Sequence, residues 1–365
     1  MSGLDLEKYR DPALARKLVA RIAALATAPA SLMEVCGTHT MAISQFGIRG
    51  LIPKAVRLLS GPGCPVCVTS LGDIDRMIAI ARQPGVVLAT FGDMVRVPGS
   101  AGSLAAARAA GADVRVVYSA LDALRIAVEQ PAKQVVFAGV GFETTSPTIA
   151  ATVIEARDRG VGNFSVYPAF KLVPPALEAI LSGGRVGIDG FLLPGHVSAI
   201  IGSRPYRFIA EQHGVPCVIA GFEPLDILEA IALLLEQRAG AAGASVQNEY
   251  SRSVPEQGNP DALKILEQVF QPVDAMWRAI GTIPRSGLGF RPAFARFDAA
   301  RLFDIAAAPA SEPDGCRCGQ VMMGLIQPDQ CGHFGKTCTP SDPVGPCMVS
   351  SEGACAAWFK YGVTA

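Results

Sequence analysis

Eight short apolar runs, separated by amphipathic stretches, constrain this chain more than any other feature. They fall at residues 32–35, 56–59, 86–90, 114–118, 135–140, 164–169, 190–193 and 215–220. Helical patterns occupy 74–82, 101–110, 147–159, 175–181 and 198–212 between them. Short β-branched runs alternating with helices of about ten residues specify βαβ units, and so parallel sheets covered on both faces. The expected fold class is therefore α/β. It comprises two consecutive parallel-sheet domains, 31–125 and 126–238, behind an N-terminal helix within 1–30. A long apolar helix at 225–238 closes this part. Beyond it, 239–260 reads as a linker, 261–270 and 273–280 as helices, and the rest as Gly/Pro-rich irregular chain. The region 239–365 thus forms a third, largely irregular and helical unit.

Charge excludes several function classes. Thirty-two Lys and Arg balance thirty-two Asp and Glu, and no basic stripe interleaves with aromatics, so nothing marks a nucleic-acid or acidic-membrane surface. No uncharged apolar stretch approaches the roughly 18 residues of a membrane span. The first thirty residues carry recurring charges at amphipathic spacing, unlike a signal peptide. The expectation is a soluble, cytoplasmic protein without membrane or nucleic-acid partners.

In such a compartment ten cysteines stay free for metal, catalysis or packing. Their positions matter, because ligands of open α/β sheets bind beyond the carboxyl ends of strands. Six apolar runs lead directly into polar, Gly-rich loops: Cys36-Gly-Thr-His39-Thr40, Ser60-Gly-Pro-Gly-Cys64-Pro-Val-Cys67, 92–99, 141–145, 194–198 and 222–224. Together they describe a cleft lined from both domains.

Cys64-Pro-Val-Cys67 holds two sulfurs close enough for a disulfide or a soft metal, and a helix starting just after it favours thiolate. The competing reading is half of a structural zinc site, but the chain holds no second C-x-x-C to complete one. Cys36 and His39 suit either an acyl-transfer nucleophile or a soft ligand pair, against a buried Cys and core His that are merely neighbours. Glu143, Thr144, His196 and Glu223 are cleft candidates: each orients a ligand or donates a proton, or else caps a helix and scaffolds its loop. Thr145 or Ser146 before Pro147 reads as a helix cap, Asp93 and Arg96 as an interloop ion pair, and Cys217, inside an apolar run, as core.

The tail carries Cys318-x12-Cys331-x6-Cys338-x16-Cys355, with Cys316 and Cys347 left over. Four thiolates from separated loop positions suit a [4Fe–4S] cluster or an all-cysteine zinc site; the absence of paired knuckles favours the cluster. With little periodic apolar content, this segment needs such a centre for order. No G-x4-G-K-[ST] loop is present, so the sequence marks no familiar nucleotide site.

CGTHT, GPGCPVC, FGDMVRVPG, GFETTSPT, LPGHVSAIIG and the cysteine tail from CGQVMMGLIQPDQCGHFGKTC to GAC together resemble the HypD family of [NiFe]-hydrogenase maturation factors, in order and over nearly the whole chain. The resemblance implies a scaffold, shared with a small HypC-type chaperone, on which an iron ion receives cyanide and carbon monoxide. The cyanide would come from a HypE-type donor, and the hydrogenase large subunit would be an indirect partner. It further implies that Cys36, Cys64 and Cys67, with His39, form the iron-handling and thiol-redox centre. Cys318, Cys331, Cys338 and Cys355 would hold a [4Fe–4S] cluster.

Overall fold

The computed structural model describes residues 7–184, 187–240, 243–305 and 312–362. After helix α1 (Pro12–Leu25), the chain runs β1 (Ala30–Glu34), α2 (Gly37–Gln45), α3 (Ile48–Leu51), β2 (Val56–Ser60), α4 (Pro65–Val68) and α5 (Leu71–Ala81). It continues with β3 (Val86–Thr90), α6 (Leu104–Ala109), β4 (Asp113–Val116), α7 (Ala120–Glu129), β5 (Gln134–Gly139), α8 (Ser146–Asp158), β6 (Phe164–Pro168) and α9 (Val173–Ser182). Then follow β7 (Gly190–Pro194), α10 (Gly195–Ile201), α11 (Arg207–His213), β8 (Cys217–Ala220), α12 (Pro224–Ala239) and β9 (Val246–Asn248). All eight apolar runs are strands, and the α/β class with parallel sheets is what the sequence led us to expect.

The sheets are not consecutive, however. One is ordered β2-β1-β7-β8-β9 and the other β4-β3-β5-β6, every pairing parallel. A boundary near residue 125 falls inside α7, within the four-stranded sheet. The four-stranded sheet is instead inserted between β2 and β7 of the other. Alternation of strands and helices reports that βαβ units exist; it carries no information on which strand a given strand pairs with. The inner faces share one apolar core, in which Leu88 and Val136 of one sheet belong with Phe191 and Ile219 of the other.

The third region also departs from expectation. Residues 239–260 include β9, which extends the five-stranded sheet. Helix α13 (Pro260–Val269) is present, but 273–280 is not helical: β10 (Phe270–Trp277) pairs antiparallel with β11 (Gly281–Phe290). The apolar spacing of Val273, Met276, Trp277 and Ile280 fits a helix, yet burial alternates along β10 with period two. Helix 198–212 divides at Gly202, whose φ of 78° a helix interior does not accept. α14 (Ala299–Phe303), α15 (Cys318–Met322), α16 (Pro346–Val349) and α17 (Ala354–Tyr361) are short helices in otherwise irregular chain. No helix among the described residues is long and apolar enough to cross a membrane.

Candidate functional site

Three cysteine-bearing segments meet beyond the carboxyl ends of the strands. Cys36 follows β1 and Cys64 follows β2, neighbours in one sheet, so their loops emerge side by side. Gly37 N donates to Gly63 O at 2.9 Å. A Cβ on Gly63 would overlap the backbone of Val35 and Cys36, so glycine is what lets the loops close. The tail segment lies across both. Thr38 Oγ1 donates to Glu352 Oε1 at 2.9 Å, and Ser350 Oγ donates to Asp93 Oδ2, from the other sheet, at 2.9 Å. The cleft is therefore lined from both sheets and roofed by the tail.

Cys36, Cys64 and Cys67 are all buried. Cys36 sits at the N-terminus of α2, where the amides of His39 and Thr38 aim at its sulfur, yet burial and then nearby Glu352 push it up to about 12. Cys64 Sγ accepts from Cys67 N at 3.2 Å. Burial also pushes Cys67 well above the ordinary thiol value, and its sulfur touches both Cys64 and Cys347. Cys347 in turn touches Cys318 and Cys355. A continuous run of sulfurs thus leads from the C-x-x-C loop into the tail.

Beside it, Cys316 contacts Cys318, and both of these and Cys338 lie within electrostatic reach of one another. Cys331 stands apart, half-buried, its sulfur 4.0 Å from Gly315 O. Of the four expected cluster ligands, three converge and the fourth lies at the edge. Cys347, treated in the sequence as surplus, lies at the centre; a single Cys in a Gly/Pro-rich tail gives no spacing signal.

Among the described residues, no three Cys, His, Asp or Glu side chains already stand as a single metal ion requires. The tail's donor set nevertheless suits an all-thiolate iron–sulfur centre. The sulfurs are soft, mostly buried, and set in irregular chain, and Gly345 leaves open space where a Cβ would press within 2.6 Å of Cys318 Sγ and 2.7 Å of Cys316 Sγ. Metal would have to displace protons from these thiols.

His39 is fully buried, and its Nε2 lies 2.9 Å from Gly221 O. A carbonyl only accepts, so Nε2 carries the proton and Nδ1 keeps a lone pair, which has no partner among the described residues. Burial pulls the imidazole down to about 4, so it is neutral. His196 stacks on Phe222 at 3.9 Å between centroids, and Phe222 also contacts the His39 ring.

Glu143 is buried, accepts from Val173 N at 2.9 Å through Oε1, leaves Oε2 unpartnered, and is held up to about 7 by burial. Glu223 takes the scaffolding role: it caps α12 and pairs with Arg10 at 2.5 Å. Thr144 is half-buried, and Thr145 occupies the cap position of α8 without a side-chain cap bond. Asp93 and Arg96, expected to pair with each other, form no ion pair among the described residues: Asp93 accepts from Ser350 and Arg96 donates to Pro340 O, both in the tail.

Sequence reasoning missed Glu34. This carboxyl, in the middle of an apolar run, accepts from Thr40 Oγ1 at 2.5 Å and Cys36 N at 3.2 Å, and burial holds it up to about 7. A charge inside an otherwise apolar strand was the available signal.

The family profile HypD, described as the hydrogenase formation hypA family, matches residues 13–362. The hydrogenase expression/formation protein HupD of Azotobacter chroococcum is 47% identical, over 98% of this chain and 96% of that protein. The hydrogenase maturation factor HypD of Rhodobacter capsulatus is 46% identical, over 97% of each. That of Escherichia coli is 45% identical, over 98% of this chain and 97% of its own length. With that coverage and a cysteine site on the matched motifs, this chain belongs to the HypD family of hydrogenase maturation factors.

Proposed function

We propose that this protein is the scaffold on which the Fe(CN)2CO unit of a [NiFe] hydrogenase is assembled. It would work in the cytoplasm with a small HypC-type chaperone, take cyanide from a HypE-type donor, and serve the hydrogenase large subunit indirectly. One observation carries the reading: the Cys36 loop, the Cys64/Cys67 loop and the tail thiols meet in one cleft. Iron is the cargo. Cyanide and carbon monoxide suit low-spin Fe(II), and thiolates are soft, electron-rich co-ligands for it. Cys36, with Cys64 and Cys67, would hold that ion once deprotonated. His39 Nδ1 offers an unprotonated nitrogen fixed by the Gly221 contact.

A [4Fe–4S] cluster in the tail would supply electrons one at a time. Cys318, Cys331, Cys338 and Cys355 would hold it. The chain's own thiols provide the two-electron step. A Cys64–Cys67 disulfide would take up two electrons from the cluster and two protons to become the dithiol, its S–S bond breaking as two S–H bonds form. The same sulfur run also supports a second reading, an iron–sulfur-dependent thiol–disulfide reductase acting on other proteins.

The test is infrared spectroscopy of protein co-produced with its maturation partners and purified without oxygen. Cyanide and carbonyl stretches are expected, and they should vanish in Cys36→Ala. Bands that persist unchanged in that variant would show the iron site to be elsewhere. Rapid turnover of protein disulfides without retained diatomic ligands would favour the reductase.

A further inference from the structure

His39 depends on an acceptor that is held from outside the cleft. Gly221, whose carbonyl oxygen lies 2.9 Å from His39 Nε2, is the first residue beyond β8. Its position admits no side chain: a Cβ would run into the carboxyl of Asp226 and the ring of Tyr250. Glycine is also the residue with the most backbone freedom, so the imidazole leans on the least self-constrained point of its loop. Glu249, just past β9, ties that point down. Its Oε2 accepts from Gly221 N at 3.0 Å. The same peptide unit carries the Ala220 carbonyl, which also acts on the His39 ring.

Glu249 is itself held. Its backbone N–H donates to Ile219 O at 3.0 Å, and Arg252 Nη1 stands 3.7 Å from its Oε1. The guanidinium is fixed in turn: Nη2 pairs with Asp226 at 2.5 Å, and Cζ lies 4.1 Å and 4.4 Å from the ring centres of Tyr9 and Tyr250. Cation–π contact with two rings leaves this arginine little freedom. At the other end, the His39 amide is one of those aimed at the Cys36 sulfur. The contacts run in one line from Arg252 through Glu249, Gly221 and His39 to Cys36.

We propose that Glu249 is the positioning residue of His39: by holding the Gly221 amide it keeps a carbonyl at Nε2 and so fixes which ring nitrogen is free. A carbonyl at Nε2 requires a proton there, and Nδ1 then keeps its lone pair. Without Glu249 the Gly221 carbonyl shifts, and the other tautomer, whose proton blocks Nδ1, gains population. Residues behind metal-binding imidazoles act in this way, setting tautomer and ring orientation together. What the free nitrogen does rests on the iron-assembly reading; which nitrogen is free does not.

Two-bond 1H–15N correlation spectra of the full-length, metal-free, reduced protein near neutral pH read each histidine's tautomer, and His39→Asn assigns the His39 signals by their loss. Wild-type His39 should be a single neutral Nε2–H form. Glu249→Leu should lower the ratio of that form to the Nδ1–H form roughly fivefold, the worth of one hydrogen bond. Glu249→Gln, which keeps an acceptor oxygen, should restore it. In protein co-produced with its maturation partners, the cyanide and carbonyl infrared bands should fall in Glu249→Leu and return in Glu249→Gln. A wild-type His39 that is charged, or protonated at Nδ1, overturns the proposal even if Glu249→Leu does not fold. An unchanged tautomer, or undiminished bands, in a folded Glu249→Leu overturns it as well. If wild type shows no such bands while the tautomer shifts as stated, the iron-assembly reading fails and the hold of Glu249 on His39 stands.

Discussion

Glu34 shows how far one buried side chain can shape this site. Its carboxyl holds a proton up to about pH 7, against an ordinary value of 4.5. Between those values the folded chain binds more protons than the unfolded one, so its contribution to stability is complete below pH 4.5 and is lost as pH rises through 7. Glu34→Gln does not titrate. Relative to wild type it should therefore gain up to about 3 kcal/mol between pH 5 and pH 8, as read from urea midpoints at the two values; an unchanged difference would refute the protonated carboxyl. Cys347 permits a test without metal. Mild oxidation of the metal-free protein, followed by peptide mapping, should yield Cys67–Cys347 and Cys318–Cys347 links. Cys347→Ser should shift the product to Cys64–Cys67 alone. Cys36, His39, Cys64 and Cys67 were legible because each follows an apolar run, where strand ends place ligands. Glu34 and Cys347 were not, since burial and sulfur–sulfur contact are tertiary facts that spacing does not encode.

Among the elements, the paired loops after β1 and β2 depend on close backbone approach. Gly63→Ala forces a methyl into the backbone of Val35 and Cys36. It should cost at least about 2 kcal/mol and separate the Cys36 loop from the Cys64 loop; denaturant melts and iron retention after reconstitution measure the two effects. Gly50, with nothing near its Cβ position, serves as the control and should tolerate alanine with far less loss. Strands were the best-read elements, because short β-branched runs bounded by glycine admit few alternatives. The β10–β11 hairpin was the worst. Apolar residues at 273, 276, 277 and 280 satisfy a helical stripe as well as a strand, and the partner strand, with Gly281, Pro284, Gly287 and Gly289, does not look like one until the pairing is seen.

At the scale of the whole molecule, interleaving makes the five-stranded sheet depend on distant chain. β1 pairs on one side with β2 and on the other with β7, Leu32 opposite Gly190. A fragment ending at Ser182 would keep β1 and β2 but lose β7, β8 and β9. Circular dichroism and amide exchange should find its first 60 residues unprotected; cooperative protection there would contradict the register. The α/β class was readable from alternation alone, whereas the interleaving was not, because strand order is a choice among topologies that share one pattern.

The tail that roofs the cleft has a consequence in time. A ribosome releases this chain from its N-terminus, so the Cys36 and Cys64/Cys67 loops exist long before Cys347, Ser350 and Glu352 emerge to cover them. During that interval the first three thiols face the cell uncovered. Whatever loads or oxidises them early meets a different reactivity from that of the finished protein, and completion of the last fifty residues acts as the closing of the reaction vessel.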